Sequence, residues 1–217
     1  VVCSNLVVDN SYAGSFGIVF IEASNAEYQL SAGIMTTILE PGVYEGANCM
    51  VDITASVTSE YVSSIIATLT VSIDDNDNYV IKGQVLGNDD RLYNLDLSWI
   101  VPEPTKTVDI KFEKSAIATY YPDLGNDFML MNGNAEYLVA LDIVGVPMGA
   151  TFTQKDLYEY YCFIENLADE TEIEIAAADG KVYQSNDTTY MEASIIGFDA
   201  VRYNIELWYV APIPAQT

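Results

Sequence analysis

Arg91-Leu92-Tyr93-Asn94-Leu95-Asp96-Leu97-Ser98-Trp99-Ile100-Val101 alternates apolar and polar side chains. Tyr93, Leu95, Leu97, Trp99 and Val101 take one face of an extended chain; Asn94, Asp96 and Ser98 take the other. A period of two is that of a half-buried β-strand, because successive side chains leave a pleated strand on opposite sides. The pattern returns in Arg202-Tyr203-Asn204-Ile205-Glu206-Leu207. There Tyr203, Ile205, Leu207, Tyr209 and Ala211 oppose Asn204, Glu206 and Trp208.

Other segments recur at a similar shift, near 110 residues. Asn25-Ala26-Glu27-Tyr28 returns as Asn134-Ala135-Glu136-Tyr137, and Pro41-Gly42-Val43-Tyr44 as Met148-Gly149-Ala150-Thr151-Phe152. Cys49-Met50-Val51-Asp52 aligns with Cys162-Phe163-Ile164-Glu165, Tyr79 and Gly87 with Tyr190 and Gly197, and Pro102-Glu103-Pro104 with Pro212-Ile213-Pro214. Matches in one order imply a duplicated unit of domain length, longer than a solenoid repeat. The two prolines at 102 and 104 end the preceding strand, so the expected domains are 1–105 and 106–217.

Asn- and Asp-rich clusters at 74–78, 88–90, 179–180 and 186–187 read as turns, since these residues tolerate left-handed backbone and bond to it locally. Expected strands are 5–10, 17–22, 26–34, 48–57, 61–67, 69–74, 78–87 and 91–101, then 108–121, 127–132, 135–144, 160–166, 171–177, 181–185, 189–197 and 201–211. The one helical candidate is Thr153–Tyr160, a single turn with Thr153 as N-cap and Asp156 three residues on. The expected fold class is all-β: two tandem antiparallel sandwich or barrel-like repeats of about 110 residues.

The 217 residues include 32 Asp and Glu, 8 Lys and Arg, and no His, for a formal charge of −24. The acid excess is spread over both halves and repels phosphate backbones and anionic membranes, so no nucleic-acid partner is expected. Absence of histidine removes the commonest general base and the Ser-His and Cys-His nucleophile systems. No Gly-rich phosphate loop and no apolar run of about 18 residues occurs, so neither a nucleotide cofactor nor a membrane span is expected. Abundant tyrosine, low lysine and strong acidity favour an exported bacterial protein. The thiols of Cys3, Cys49 and Cys162 read first as buried small hydrophobes, with Cys3–Cys49 the favoured bridge if one forms.

Thr119-Tyr120-Tyr121 and Pro147-Met148-Gly149-Ala150-Thr151-Phe152-Thr153, with Tyr12 and Pro41-Gly42-Val43-Tyr44 in the first half, resemble the exported β-repeat proteins of Bacteroidetes. That resemblance implies a secreted or outer-surface protein of the lipoprotein type. It implies no catalytic residue.

Three candidate sites follow. Trp208 breaks the polar side of its strand, and Tyr158, Tyr160 and Tyr161 cluster beside Cys162. Such rings stack on sugars or anchor protein interfaces; the alternative is that Trp208 packs between the repeats. Asp74, Asp75 and Asp77 offer oxygen ligands for calcium, against a plain acidic turn. Asp96, Glu206, Asp142 and Glu165 are the acids with large apolar neighbours that a glycosidase pair would need; most acids are solvated surface groups. The expected function is therefore a non-enzymatic surface binding or spacer module contacting glycan or protein. The runner-up is a lipocalin-like carrier of a small apolar ligand.

Overall fold

The alternating segments pair into sheets in the computed structural model, which describes residues 1–14, 17–36, 39–75, 78–121, 127–158 and 162–210. Among these residues there is no α-helix, and no helix is long and apolar enough to cross a membrane. The chain divides into two compact units, Val1–Val101 and Pro102–Thr217.

The first unit holds β1 (Val2–Gly14), β2 (Ile18–Ser24), β3 (Tyr28–Met35), β4 (Gly42–Glu45), β5 (Cys49–Ala55), β6 (Tyr61–Ile73), β7 (Tyr79–Gly87) and β8 (Leu92–Ser98). Seven of them close into a barrel, β6-β5-β3-β2-β1-β8-β7 and back to β6, with β4 pairing to residues 68–71 of β6. Every pairing is antiparallel except β1 with β8. Closure depends on β1 and β6, each 13 residues long. Register shifts at Val8/Asn10 and Ser64/Ile66 mark irregularities where each strand can bend from one layer into the other. The interior is filled by Leu6, Ile21, Ile34, Ile53, Leu69, Ile81 and Leu97, all fully buried.

The second unit holds β9 (Lys106–Ile110), β10 (Ile117–Tyr121), β11 (Asp127–Gly133), β12 (Tyr137–Ile143), β13 (Thr151–Thr153), β14 (Phe163–Asn166), β15 (Thr171–Ile173), β16 (Ile175–Ser185), β17 (Thr188–Gly197) and β18 (Val201–Val210). They form two five-stranded sheets, β10-β11-β12-β14-β15 and β13-β16-β17-β18-β9, over one shared core. Strand for strand this is the pairing order of the first unit, with β9 and β10 in the place of β1 and β15 and β16 in the place of β6. With two strands in each of those places the second unit has two separate sheets and no closed barrel among the described residues.

Side-chain clamps recur with the order. Asn25 Oδ1 accepts from the amides of Glu27 and Tyr28, both at 2.8 Å, and its Nδ2 donates to Ser4 O at 3.0 Å. Asn134 does the same with Glu136, Tyr137 and Lys111 O, at 2.8, 2.8 and 3.0 Å. The Tyr93 hydroxyl donates to Asp89 at 2.8 Å and the Tyr203 hydroxyl to Asp199 at 2.7 Å. Each aspartate also receives a backbone amide two residues on, from Arg91 and Val201.

Several expectations need correction. The expected strands 61–67 and 69–74 are the single β6, and 108–121 is two strands. Asp179-Gly180 is not a turn: it lies inside β16, opposite Ser194 and Ala193. The four-residue β4 was not anticipated. The turn at 153–156 is a 3-10 turn over Gln154–Asp156, with Asp156 accepting from the Thr153 amide at 2.8 Å. All three cysteines are free, so Cys3 and Cys49 are buried thiols and not a bridge; burial raises both pKa values.

Candidate functional site

In β16, β17 and β18, core side chains alternate with side chains on the outer face. Val182, Met191 and Leu207 are buried, so their neighbours in sequence point away from the core. The register then fixes three outer rows. Trp208 lies opposite Tyr190, which lies opposite Tyr183. The next row runs Glu206, Glu192, Lys181 and Thr151; the third runs Asp109, Asn204, Ser194 and Asp179.

The aromatic row is a wall of half-buried rings. Tyr183 and Tyr190 are stacked, with centroids 5.1 Å apart and planes 13° from parallel. The Lys181 ammonium sits 5.0 Å from the Tyr183 centroid and 3.0 Å from Glu192 Oε2. The Tyr183 hydroxyl donates to Glu192 Oε1 at 2.6 Å. That bond, with burial and the Glu192 charge, pushes the Tyr183 phenol up to about 12. The Tyr183 hydroxyl and then Lys181 hold the Glu192 carboxyl below its ordinary value. Trp208 makes two bonds to the segment after β9: its indole N–H points at Phe112 O, 3.5 Å away, and its carbonyl accepts from the Ala116 amide at 2.7 Å.

Beside the wall the sheet face is concave. The hollow has a volume of about 470 Å³ and is lined by the two polar rows together with Lys111, Ile110, Gly180, Ala193 and Ile205. Asn204 donates to Asp109 at 2.8 Å, and Arg202 donates to Ser194 at 2.8 Å. Donors, acceptors and carboxylates thus share one surface beside three aromatic rings.

The same positions in the first unit are different. Ser98, Val80 and Ser72 form the row that corresponds to the wall. The next row pairs Asp96 with Lys82, 3.8 Å apart, where the second unit places Glu206 opposite Glu192.

Of the aromatic residues nominated from sequence, the two that are described, Trp208 and Tyr158, lie at different sheets. Trp208 lies on β18, whereas Tyr158 follows the 3-10 turn and donates its amide to Asp142 O, beside β12 of the other sheet. Tyr160 and Tyr161 lie outside the described residues, as does Asp77. Asp74 Oδ1 accepts from the Asn78 amide at 3.0 Å, a hairpin-turn role, and no group of metal ligands occurs among the described residues. Asp142 is buried; Glu165 faces Glu172, whose pKa is raised by burial and by Glu165. Neither Asp142 nor the Glu165–Glu172 pair lines a described concavity.

Tyr190 and Tyr183 were missed because Tyr190 was matched with Tyr79. By strand register the counterpart of Tyr79 is Thr189, and both are buried. A slip of one residue moves a side chain to the opposite face. The alternation Tyr190-Glu192-Ser194 against Met191-Ala193-Ile195 within the strand would have corrected it.

No protein family, curated protein or solved structure matches this chain. The likeness to exported Bacteroidetes repeats therefore stands on the quoted residues alone.

Proposed function

We propose that the chain is a non-enzymatic binding module of an exported or surface protein, made by head-to-tail duplication, and that the outer face of β16–β18 contacts a saccharide. The matching strand orders and the paired Asn25/Asn134 and Asp89/Asp199 clamps support duplication. The observation that carries the binding reading is the Trp208-Tyr190-Tyr183 wall beside a hollow of about 470 Å³ lined with polar side chains. Small-molecule sites span roughly 300–1,000 Å³. Aromatic rings pack on the apolar C–H faces of sugars while amides, hydroxyls and carboxylates bond the hydroxyl groups.

Two observations weigh against the alternatives. A glycosidase needs one carboxyl protonated near neutral pH, and on this face Glu192, held below its ordinary value, does not supply it. A carrier needs an internal cavity, and the barrel of the first unit is filled with aliphatic side chains.

The test is a glycan array followed by calorimetry on the wild type and Trp208→Ala. Binding to at least one glycan, weakened about tenfold or more by the substitution, is expected, as for loss of a central aromatic anchor. No glycan bound, or an unchanged affinity in the variant, refutes the saccharide site.

A further inference from the structure

The electrostatics of the hollow differ from those of the same place in the first unit. There, Lys82 on β7 faces Asp96 on β8 and the two charges compensate. In the second unit Glu192 occupies the lysine position and faces Glu206 directly. Like charges directly opposite one another across a strand pair destabilise a sheet. Lys181 compensates only one of them: it lies on β16, next to β17, and bonds Glu192 at 3.0 Å. It is two strands from β18, roughly 10 Å at the usual strand spacing. Among the described residues Glu206 has no ion pair and accepts no hydrogen bond.

The lining of the hollow carries Asp109, Asp179, Glu192 and Glu206 against Lys111 and Lys181. Asp109 is engaged by Asn204 and Glu192 by Lys181 and Tyr183. Glu206 thus stands as a carboxylate without an ion-pair partner beside Trp208, on a chain whose formal charge is −24; Lys111, one residue past the β9 partner of Ile205, is its neighbour in the row but forms no ion pair with it. A ligand bearing an ammonium group would relieve the Glu206–Glu192 repulsion on binding. A uronate would add to it.

Resting on the saccharide reading above, we infer that this face selects amino sugars with a free ammonium group, that Glu206 is the residue that reads the charge, and that Trp208 packs on the ring. The 2-ammonium of a glucosamine unit is the chemistry that fits: a cation one bond from a flat pyranose face. No covalent step is involved.

The experiment titrates the full chain with three oligomers of equal length: glucosamine, N-acetylglucosamine and galacturonate. A lysine-rich peptide is titrated alongside. Variants are Glu206→Gln and Trp208→Ala, with Asp96→Asn as the same chemical change at the counterpart position of the first unit. A partly exposed ion pair corresponds to about fivefold in affinity. The glucosamine oligomer should therefore bind about fivefold more tightly than the N-acetylated one, and the galacturonate more weakly than either. Raising the salt should shrink the preference. Glu206→Gln should bring the glucosamine affinity down to that of the N-acetylated oligomer, and Asp96→Asn should change nothing. Equal affinities of the wild type for the charged and neutral oligomers, or a preference that survives Glu206→Gln, overturns the inference while leaving a Trp208-dependent sugar site intact. Absence of binding to all three oligomers overturns both. Tighter binding of the lysine peptide, lost in Glu206→Gln, replaces the saccharide with a cationic protein segment and overturns the inference as well.

Discussion

Replacing Asn134 by Ala removes three hydrogen bonds with one side chain. Its Oδ1 holds the amides of Glu136 and Tyr137, and its Nδ2 holds Lys111 O. A net hydrogen bond contributes about 1 kcal/mol, less where water replaces the partner. The clamp is half-buried, so the expected cost is about 2 kcal/mol, not three full bonds. Asn134→Asp keeps the acceptor for the two amides and loses only the donor, for an expected cost of about 1 kcal/mol. Asn25 makes the same three bonds to Glu27, Tyr28 and Ser4 O, so Asn25→Ala and Asn25→Asp should fall in the same order by similar amounts. Urea unfolding of the full chain reads the change as a midpoint shift of about 1 M for the alanine variants, given m-values of about 1–3 kcal/mol/M. Hydrogen exchange at the amides of Glu136 and Tyr137 should accelerate in Asn134→Ala and not in Asn134→Asp. The reasoning fails if Asn134→Ala stays within about 0.5 kcal/mol of wild type, the usual range for surface changes, or if Asp costs as much as Ala.

Gly180→Ala should destabilise by about 1–3 kcal/mol, because a methyl there meets the carbonyl of Glu192 and the ring of Phe152. Gly42→Ala, whose methyl has its nearest neighbours at 4.0 Å, should stay near neutral, and equal urea midpoints for the two variants would refute the packing argument. Burial and the carboxylates of Asp89 and Asp199 raise the phenols of Tyr93 and Tyr203, and Tyr183 ionises near 12. Their contribution is fully present below about pH 10, the unfolded phenol value, and is lost as pH rises from there through the folded values. Tyr203→Phe should flatten the alkaline loss of stability and remove one late phenol from an absorbance titration. For Glu192 the sign is opposite: its contribution is present above the ordinary glutamate value and is lost as pH falls through its depressed one.

Period-two alternation made most strands legible because each has one core face and one solvated face: β8, β17 and β18 fall within a few residues of their expected limits. Gly180 misled because a glycine beside an aspartate signals a turn locally, whereas here it makes room for Phe152. That requirement comes from another strand and is invisible in the neighbouring residues. β4 escaped notice because four residues carry too little periodicity. Closure of the first unit was equally hidden: it depends on β6 pairing with β5 over residues 61–63 and with β7 over residues 64–73. For the candidate site, Trp208 was legible as an apolar residue on a polar face. Its companions Tyr190 and Tyr183 are cross-strand neighbours, which only the register supplies.

Under the proposed duplication, the two faces of this sheet have obeyed different constraints. Inside, changes are compensated. In the first unit Leu69 on β6 faces Gly83 on β7, and Tyr44 on β4 is half-exposed with its hydroxyl on Glu40 O. In the second, Gly180 takes the Leu69 position, Ala193 the Gly83 position, and Phe152, fully buried, fills the space from the Tyr44 position. One large side chain is traded between strands so that the interior stays full, as close packing demands. Outside, no such trade occurs. Ser98, Val80 and Ser72 give way to Trp208, Tyr190 and Tyr183, and the Lys82–Asp96 pair gives way to Glu192 facing Glu206. Lys181 and the Tyr183 hydroxyl hold Glu192, but within the fold no ion pair or hydrogen bond among the described residues answers Glu206. A cationic ligand would, so under the proposed function the difference between the two units makes Glu206 and the β16–β18 face the place to test for binding.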